Sequence, residues 1–98
     1  MTIHQEKNGS ALLIALEGRL DTMTAPSLEE TLQKALEGVT ELTFDFEKLD
    51  YISSAGLRVL LAAQKTMNRQ GAMKVRNANE IIMEIFEVTG FSDILTLE

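Results

Sequence analysis

The feature that most constrains the fold is a strand-like segment that follows an amphipathic helix and precedes a second one. Leu42-Thr43-Phe44-Asp45-Phe46 alternates apolar and polar residues with period two, which is typical of a β-strand. The preceding segment carries its apolar residues at helical spacing; these are Leu28, Leu32, Ala35, Leu36 and Val39. Because this helix separates two strands, we expect a right-handed parallel crossover and therefore an α/β protein.

The dipeptide Asn8-Gly9 marks a hairpin near the start of the chain. Asn-Gly between two strand-like runs is the strongest short-range hairpin signal. It predicts antiparallel strands at Thr2–Lys7 and Ala11–Glu17. The run from Ala11 to Leu16 is apolar throughout, so we expect a central strand that is covered on both faces.

The remaining elements follow from caps, glycines and periodicity. The first helix has Thr24 as its cap and Pro26 in its first turn, and ends at Gly38. The second helix starts at the serines of Ser53-Ser54 and runs to about Gln70, with Leu57, Leu60, Leu61, Val59, Ala63 and Met67 on its buried face. The third, Glu80–Thr89, has Asn79 as its cap, Gly90 as its terminator, and Ile82, Ile85 and Phe86 inward. Strands are predicted at Ala72–Arg76 and, as a short last one, at Ile94–Leu97.

Composition limits the function classes. A chain of 98 residues with 45% hydrophobic and 24% charged residues is expected to form one domain, residues 1–98, with the order β-β-α-β-α-β-α. The net charge of −6 argues against nucleic acid or an anionic membrane as the main partner. No cysteine is present, nothing at the N-terminus resembles a signal peptide, and the run Ala11–Leu16 is too short to span a bilayer. These features are compatible with a cytoplasmic protein, and we expect no membrane insertion.

The segment DYISSAGLRVLL, Asp50 to Leu61, places two hydroxyls and a glycine where a strand gives way to a helix. Ser53 or Ser54 before Ala55 is typical of a helix N-cap, a contact that is worth roughly 1 kcal/mol. A cap does not account for Gly56, since glycine in a first turn costs roughly 1 kcal/mol and usually signals a close approach by another group.

Catalytic and metal-binding alternatives lack the residues they need. The segment is not G-x-S-x-G, and His4, the one histidine, lies in the first predicted strand. The glycine-rich phosphate-binding patterns are absent, and the carboxylates are spread along helix faces without cysteine or histidine beside them. We therefore expect no enzyme, no cofactor and no metal site.

A phosphate on Ser54 is the remaining option. At a helix N-terminus a phosphoserine meets free backbone N–H groups and the positive end of the helix dipole, so the domain can stay folded. The phosphate would add about −1.5 to −2 charge at one exposed point, which a docking partner would feel directly.

The chain resembles STAS-domain proteins of the anti-anti-sigma class, the anti-sigma factor antagonists. The resemblance covers essentially the full length and rests on four segments in order. They are Leu16-Glu17-Gly18-Arg19-Leu20-Asp21, the strand Leu42–Phe46 running to Leu49–Ile52, Ser53-Ser54-Ala55-Gly56-Leu57, and Ile85-Phe86-Glu87-Val88-Thr89-Gly90-Phe91 with Gly71 upstream.

This resemblance implies a mixed sheet of about four to five strands with three or more helices packed on it. It also implies partner switching: the unphosphorylated protein binds an anti-sigma factor that is also a serine kinase, and so releases the sigma factor. Phosphorylation of Ser54 weakens that complex, and a phosphatase restores it. The implied partner-binding residues are Asp21, Thr22, Met23, Thr24, Ser53, Ala55, Gly56, Leu57 and Arg58, with Gly56 keeping the approach to the Ser54 hydroxyl clear.

Two positions depart from the family pattern. Ser53 stands where aspartate is usual, which makes Ser53 the alternative phosphate acceptor. Arg58 stands where several relatives have glycine, so it is either a solvated surface residue or a contact to phosphate or partner. The alternative function is a STAS-type subunit of a transport or scaffolding complex, with Ser54 serving only as a helix cap.

Overall fold

A computed structural model describes residues 1–98, and its four strands form one mixed sheet in the order β1-β2-β3-β4. The strands are β1 Thr2–Asn8, β2 Ala11–Leu20, β3 Glu41–Ile52 and β4 Ala72–Arg76. β1 and β2 are antiparallel, and both the β2–β3 and β3–β4 pairs are parallel. The Asn8-Gly9 hairpin and the parallel crossover are thereby confirmed, as is the α/β class.

Three α-helices complete the predicted order β-β-α-β-α-β-α. They are α1 Ala25–Ala35, α2 Ser54–Gln70 and α3 Glu80–Thr89. Asn79 caps α3 through its side chain, which accepts from the Ile82 N–H at 2.8 Å, and Gly90 ends that helix in the left-handed conformation. Within α2 and α3 the predicted inward residues are buried, except Leu61 and Ile85, which are half-buried.

The first helix is shorter than predicted, because it ends at Ala35 and not at Gly38. Leu36 and Val39 are nevertheless buried. The side-chain amide of Gln70 donates to the carbonyls of both residues at 2.8 Å, which satisfies backbone groups that the helix leaves free. The apolar periodicity thus continued past the point where the backbone leaves the helix.

The hydrophobic core lies on one face of the sheet only. Through the middle of the sheet its strand residues occupy alternate positions: Leu12, Ile14 and Leu16 of β2, Leu42, Phe44 and Phe46 of β3, and Met73 and Val75 of β4. Leu20, Leu49 and Ile52, near the ends of β2 and β3, also lie in the core. On the opposite face Ala11, Leu13 and Ala15 are half-buried. The prediction that the second strand is covered on both faces is therefore wrong: the helices form a single layer, and neighbouring strands cover the outer side chains only in part.

The predicted last strand at Ile94–Leu97 is also wrong. Phe91–Asp93 forms a 3₁₀ turn, and the chain then makes an isolated bridge between Leu97 and Val75. Two backbone hydrogen bonds of 2.9 Å join this tail to β4, through the N–H and the carbonyl of Val75. The sheet therefore has four strands.

Gly56 allows the first turn of α2 to sit directly on the ends of β2 and β3. A Cβ at this position would lie 2.7 Å from Leu20 Cγ and 2.8 Å from Ile52 Cγ1, both in fully buried side chains. The expectation of a close approach at this glycine is correct. The expectation that it keeps the surface around Ser54 clear is wrong, since the missing side chain faces the core.

We predict that Gly56→Ala lowers the free energy of unfolding by about 1–2 kcal/mol. Overpacking a core costs about 1–3 kcal/mol, and the better helix propensity of alanine recovers only part of that. Urea denaturation measures the difference. Ser54→Ala, in the same turn but exposed, is the matched control and should change stability by less than about 0.5 kcal/mol. An unchanged or raised stability of Gly56→Ala would contradict this packing role.

Candidate functional site

The candidate site lies where the parallel strands β2 and β3 end side by side. The loop Asp21–Thr24 follows β2, and α2 follows β3. The Ser53 N–H donates to the Leu20 carbonyl at 2.9 Å, which joins the two exits. Loops at the carboxyl ends of parallel strands commonly carry binding sites. The structure therefore brings together the two segments that the sequence singled out.

Asp21 and Thr24 fold the loop after β2 into a tight turn. Asp21 Oδ1 accepts from the N–H groups of Met23 at 3.0 Å and Thr24 at 3.1 Å. Thr24 Oγ1 accepts from the Asp21 N–H and donates to the Arg19 carbonyl, both at 2.8 Å. Thr24 stands at the N-cap position of α1, as predicted, but its side chain bonds backward to this turn and does not cap the helix.

The carboxyl group of Asp21 is held in its charged form. Desolvation raises its pKa, but the N–H groups of Thr24 and Met23 and the nearby Arg19 guanidinium outweigh that effect. The net result is a pKa below the usual value. The turn therefore stabilises the ionised form of Asp21.

The two serines have different roles. Ser53 is the N-cap of α2: its backbone is extended, and its Oγ accepts from the Gly56 N–H at 3.4 Å. Ser54 is the first helical residue, is exposed, and has no hydrogen bond from its side chain. Of the two serines that the sequence offers as the cap, Ser53 takes that role, because β3 ends at Ile52 and leaves Ser53 in the capping conformation.

The other predicted partner-binding residues divide into an outer and an inner group. Thr22, Ala55 and Arg58 line one small open cleft of about 200 Å³ between α1 and α2. Met23 stands out in solvent at 86% exposure. Gly56 and Leu57 are buried, so they position the first turn of α2 and offer no surface of their own.

Sequence reasoning missed a contact beside this site. The Arg19 guanidinium lies 4.6 Å from the centroid of the Tyr51 ring and 3.7 Å from the Asp21 carboxylate. Arg19 and Tyr51 are partners in the β2–β3 ladder, next to two register shifts. The apolar and polar pattern of each strand does not reveal how the two strands pair, so the sequence alone could not place these two side chains together.

The groups required by the catalytic alternatives lie elsewhere. His4 pairs with Glu17 across the β1–β2 hairpin, and this hydrogen bond holds the pKa of the Glu17 carboxyl below its usual value. No group of three or more histidine, aspartate or glutamate side chains could hold a metal ion. None of the helices has the length and apolar character needed to cross a membrane.

Comparison with known proteins agrees with this geometry. The family model described as Mlab, STAS domain, matches residues 3–97. The anti-sigma-B factor antagonist of Listeria monocytogenes is 30% identical over 97 residues, which span 96% of this chain and 84% of that protein.

Two solved structures share the fold. An anti-sigma factor antagonist from Mycobacterium paratuberculosis has a TM-score of 0.88 at 21% identity, over 98% of this chain and 83% of that one. The Bacillus cell fate determinant SpoIIAA in its phosphorylated form has a TM-score of 0.78 at 19% identity, over 99% and 91% of the two chains.

Together, the sheet order, the helices and the family match define a STAS domain. The chain belongs to the anti-sigma factor antagonist family of STAS-domain proteins.

We predict that the Asp21 turn makes the free energy of unfolding depend on pH, so that the fold is less stable in acid. A carboxyl whose pKa is lowered by folding stabilises the native state above its unfolded pKa of 3.8, and this stability is lost as the pH falls through the lower folded pKa. Asp21→Asn keeps an oxygen acceptor but removes the charge. It should therefore be less stable than wild type at neutral pH, with the difference shrinking below about pH 4.

Urea denaturation across this pH range measures both proteins. Asp93→Asn, an exposed aspartate in the 3₁₀ turn, is the matched control for loss of one carboxylate. A stability difference between Asp21→Asn and wild type that stays constant from neutral to acid pH would rule out a charged Asp21 as the support of this turn.

Proposed function

We propose that this protein is an anti-sigma factor antagonist that acts by partner switching. In its unphosphorylated form it binds an anti-sigma factor that is also a serine kinase, and the sigma factor is released. Phosphorylation of Ser54 by that kinase ends the interaction, and a phosphatase restores it. The protein itself is a binding module of the cytoplasm and not an enzyme.

The observation that carries this proposal is the free hydroxyl of Ser54. The side chain is exposed at the start of α2 and bonds to no other group. Ser53 already supplies the cap, so modification of Ser54 would not remove the contact that starts the helix. This arrangement favours Ser54 over Ser53 as acceptor. The transport-subunit alternative would leave the Ser54 hydroxyl without a role, since Ser53 is the cap.

The surroundings of Ser54 suit a reversible phosphate. The first backbone hydrogen bond of α2 runs from the Leu57 N–H to the Ser53 carbonyl at 2.9 Å. The N–H groups of Ser54 and Ala55 come before it and therefore have no acceptor within the helix. Free N–H groups and the positive end of the helix dipole stabilise an anion there. The phosphate adds about −1.5 to −2 charge without a need to unfold the domain.

A partner that docks over Ser54 would meet a mixed surface. Met23 offers an exposed apolar side chain, while Thr22, Ala55 and Arg58 border the cleft beside it. An interface gains affinity from buried apolar area and specificity from the polar groups around it. Asp21 contributes by holding the loop that carries Thr22 and Met23.

We predict that incubation with the source organism's anti-sigma factor kinase and ATP places one phosphate on Ser54. Ser54→Ala should remain unmodified. Ser53→Ala should still be phosphorylated, although loss of the cap lowers its stability by about 1 kcal/mol or less. Intact-mass measurement with peptide mapping gives the number of phosphates and their position.

The two alanine variants separate the acceptor from the cap. Phosphorylation of Ser54→Ala to the wild-type extent, with the label on Ser53, would reverse the assignment. Circular dichroism of both variants confirms that each is folded before the reaction.

We further predict that Ser54→Asp weakens binding of the unmodified protein to that kinase by about tenfold or more. An unpaired charge that is placed in an interface lowers the binding free energy by about one to several kcal/mol. Isothermal titration calorimetry measures the affinity, and Ser54→Asn, of similar size without the charge, is the control. Equal affinities of Ser54→Asp and wild type would contradict a charge-operated switch.

A further inference from the structure

Helix α2 has a charge composition unlike the rest of the chain. It contains Arg58, Lys65 and Arg69 and none of the 15 acidic residues, whereas the protein as a whole has a net charge of −6. Helix α3 is the reverse: it carries Glu80, Glu84 and Glu87 and no basic residue. Charge is therefore segregated between the helices that cover the sheet.

The three basic residues of α2 form a stripe along one side of the helix. Arg58, Lys65 and Arg69 are spaced at i, i+7 and i+11, which places them within about 40° of one another around the axis and along about 16 Å of its length. All three are exposed. Ser54 lies one turn before Arg58 on the same side, so the stripe begins at the proposed phosphate acceptor.

These three side chains have no acidic partner within the molecule. Four other basic residues do: Arg19 pairs with Asp21, Lys34 with Glu30, Lys74 with Glu98, and Arg76 with Asp45, at N···O distances of 3.3 to 3.7 Å. Lys7 and Lys48 form no ion pair either, but they stand singly on β1 and β3 and make no stripe. Glu29 lines the same cleft as Arg58, yet the two form no ion pair. The positive charge of the stripe is thus left for a group outside the chain.

The helix dipole accounts for only part of this pattern. A basic residue in the last turn, such as Arg69, is favoured by the negative C-terminal end of the helix. Arg58 lies near the positive N-terminal end, where the dipole opposes a cation. Its position needs another explanation, and an interaction with an external anion supplies one.

The size and surroundings of the stripe favour a protein surface over a polyanion. Nucleic acid rewards an extended basic face, but the stripe holds three charges and is flanked by the acidic residues of α1. A compact patch of carboxylates on a folded partner matches three side chains over about 16 Å. An acidic partner face also fits the direction of the proposed switch, because a phosphate on Ser54 would repel it and attract Arg58.

We propose that Arg58, Lys65 and Arg69 dock an acidic face of the anti-sigma factor kinase, an inference that rests on the proposed function. The stripe extends the contact from the Ser54 end along α2. Phosphorylation then weakens the complex in two ways: the phosphate repels the carboxylates of the partner, and it competes with them for the Arg58 guanidinium four residues away.

The test is charge reversal away from the phosphorylation site. K65E/R69E in the full chain should weaken binding to the unmodified kinase by about tenfold and flatten its dependence on NaCl concentration, since two attractive contacts become repulsive. K7E/K48E is the matched control, because it shifts the net charge equally through exposed lysines of β1 and β3 that also lack an ion-pair partner. It should change the affinity by less than about threefold. Calorimetry gives the affinities, and circular dichroism verifies the fold.

The outcomes distinguish this inference from the function on which it rests. If wild type binds the kinase and is phosphorylated on Ser54, but K65E/R69E binds as tightly as wild type or loses no more affinity than K7E/K48E, the docking surface is wrong and partner switching stands. If K65E/R69E instead loses binding only to duplex DNA or to phosphatidylserine vesicles, the partner class is wrong. If wild type binds none of the source organism's anti-sigma factor kinases, both proposals fail.

Discussion

The parallel pairing of β2 with β3 is the constraint on which the candidate site depends. Because the two strands run in the same direction, their exits lie at one edge of the sheet, and the hydrogen bond from the Ser53 N–H to the Leu20 carbonyl fixes one exit against the other. The Asp21 turn and the first turn of α2 are consequently neighbours, although 29 residues, 25–53, lie between Thr24 and Ser54 in sequence. Without this pairing, Thr22 and Ala55 would have no reason to line the same cleft.

The start of α2 combines a structural and a surface role in adjacent residues. Ser53 caps the helix, Gly56 and Leu57 fill the space against the strand ends, and Ser54 and Arg58 point to solvent. Helical geometry separates these roles, since residues that differ by one or two positions face in different directions. A modification on the outer side therefore leaves the buried contacts in place, so the proposed phosphorylation would change what the surface binds before it changes the fold.

Much of the fold could be predicted from the sequence because periodicity and turn residues report local geometry. The Asn8-Gly9 hairpin, the crossover, the three helices and the Gly90 stop of α3 depend on such signals. The errors arose where tertiary context decides. Which of two adjacent serines caps α2 depends on where β3 ends, and Ala11 and Ala15 are small enough to remain on a partly open face.

The same limit applies to the site. The sequence identified its residues through a family resemblance, but the contact of Arg19 with Tyr51 depends on a ladder with two register shifts, which no pattern in either strand encodes. The basic stripe on α2, by contrast, needs only helical spacing to be seen. Its meaning needs the structure, because only the folded chain shows that no carboxylate pairs with these three residues, as it does with Arg19 and Arg76. A cation without an internal partner contributes little to folding, so the stripe is better explained by binding than by stability.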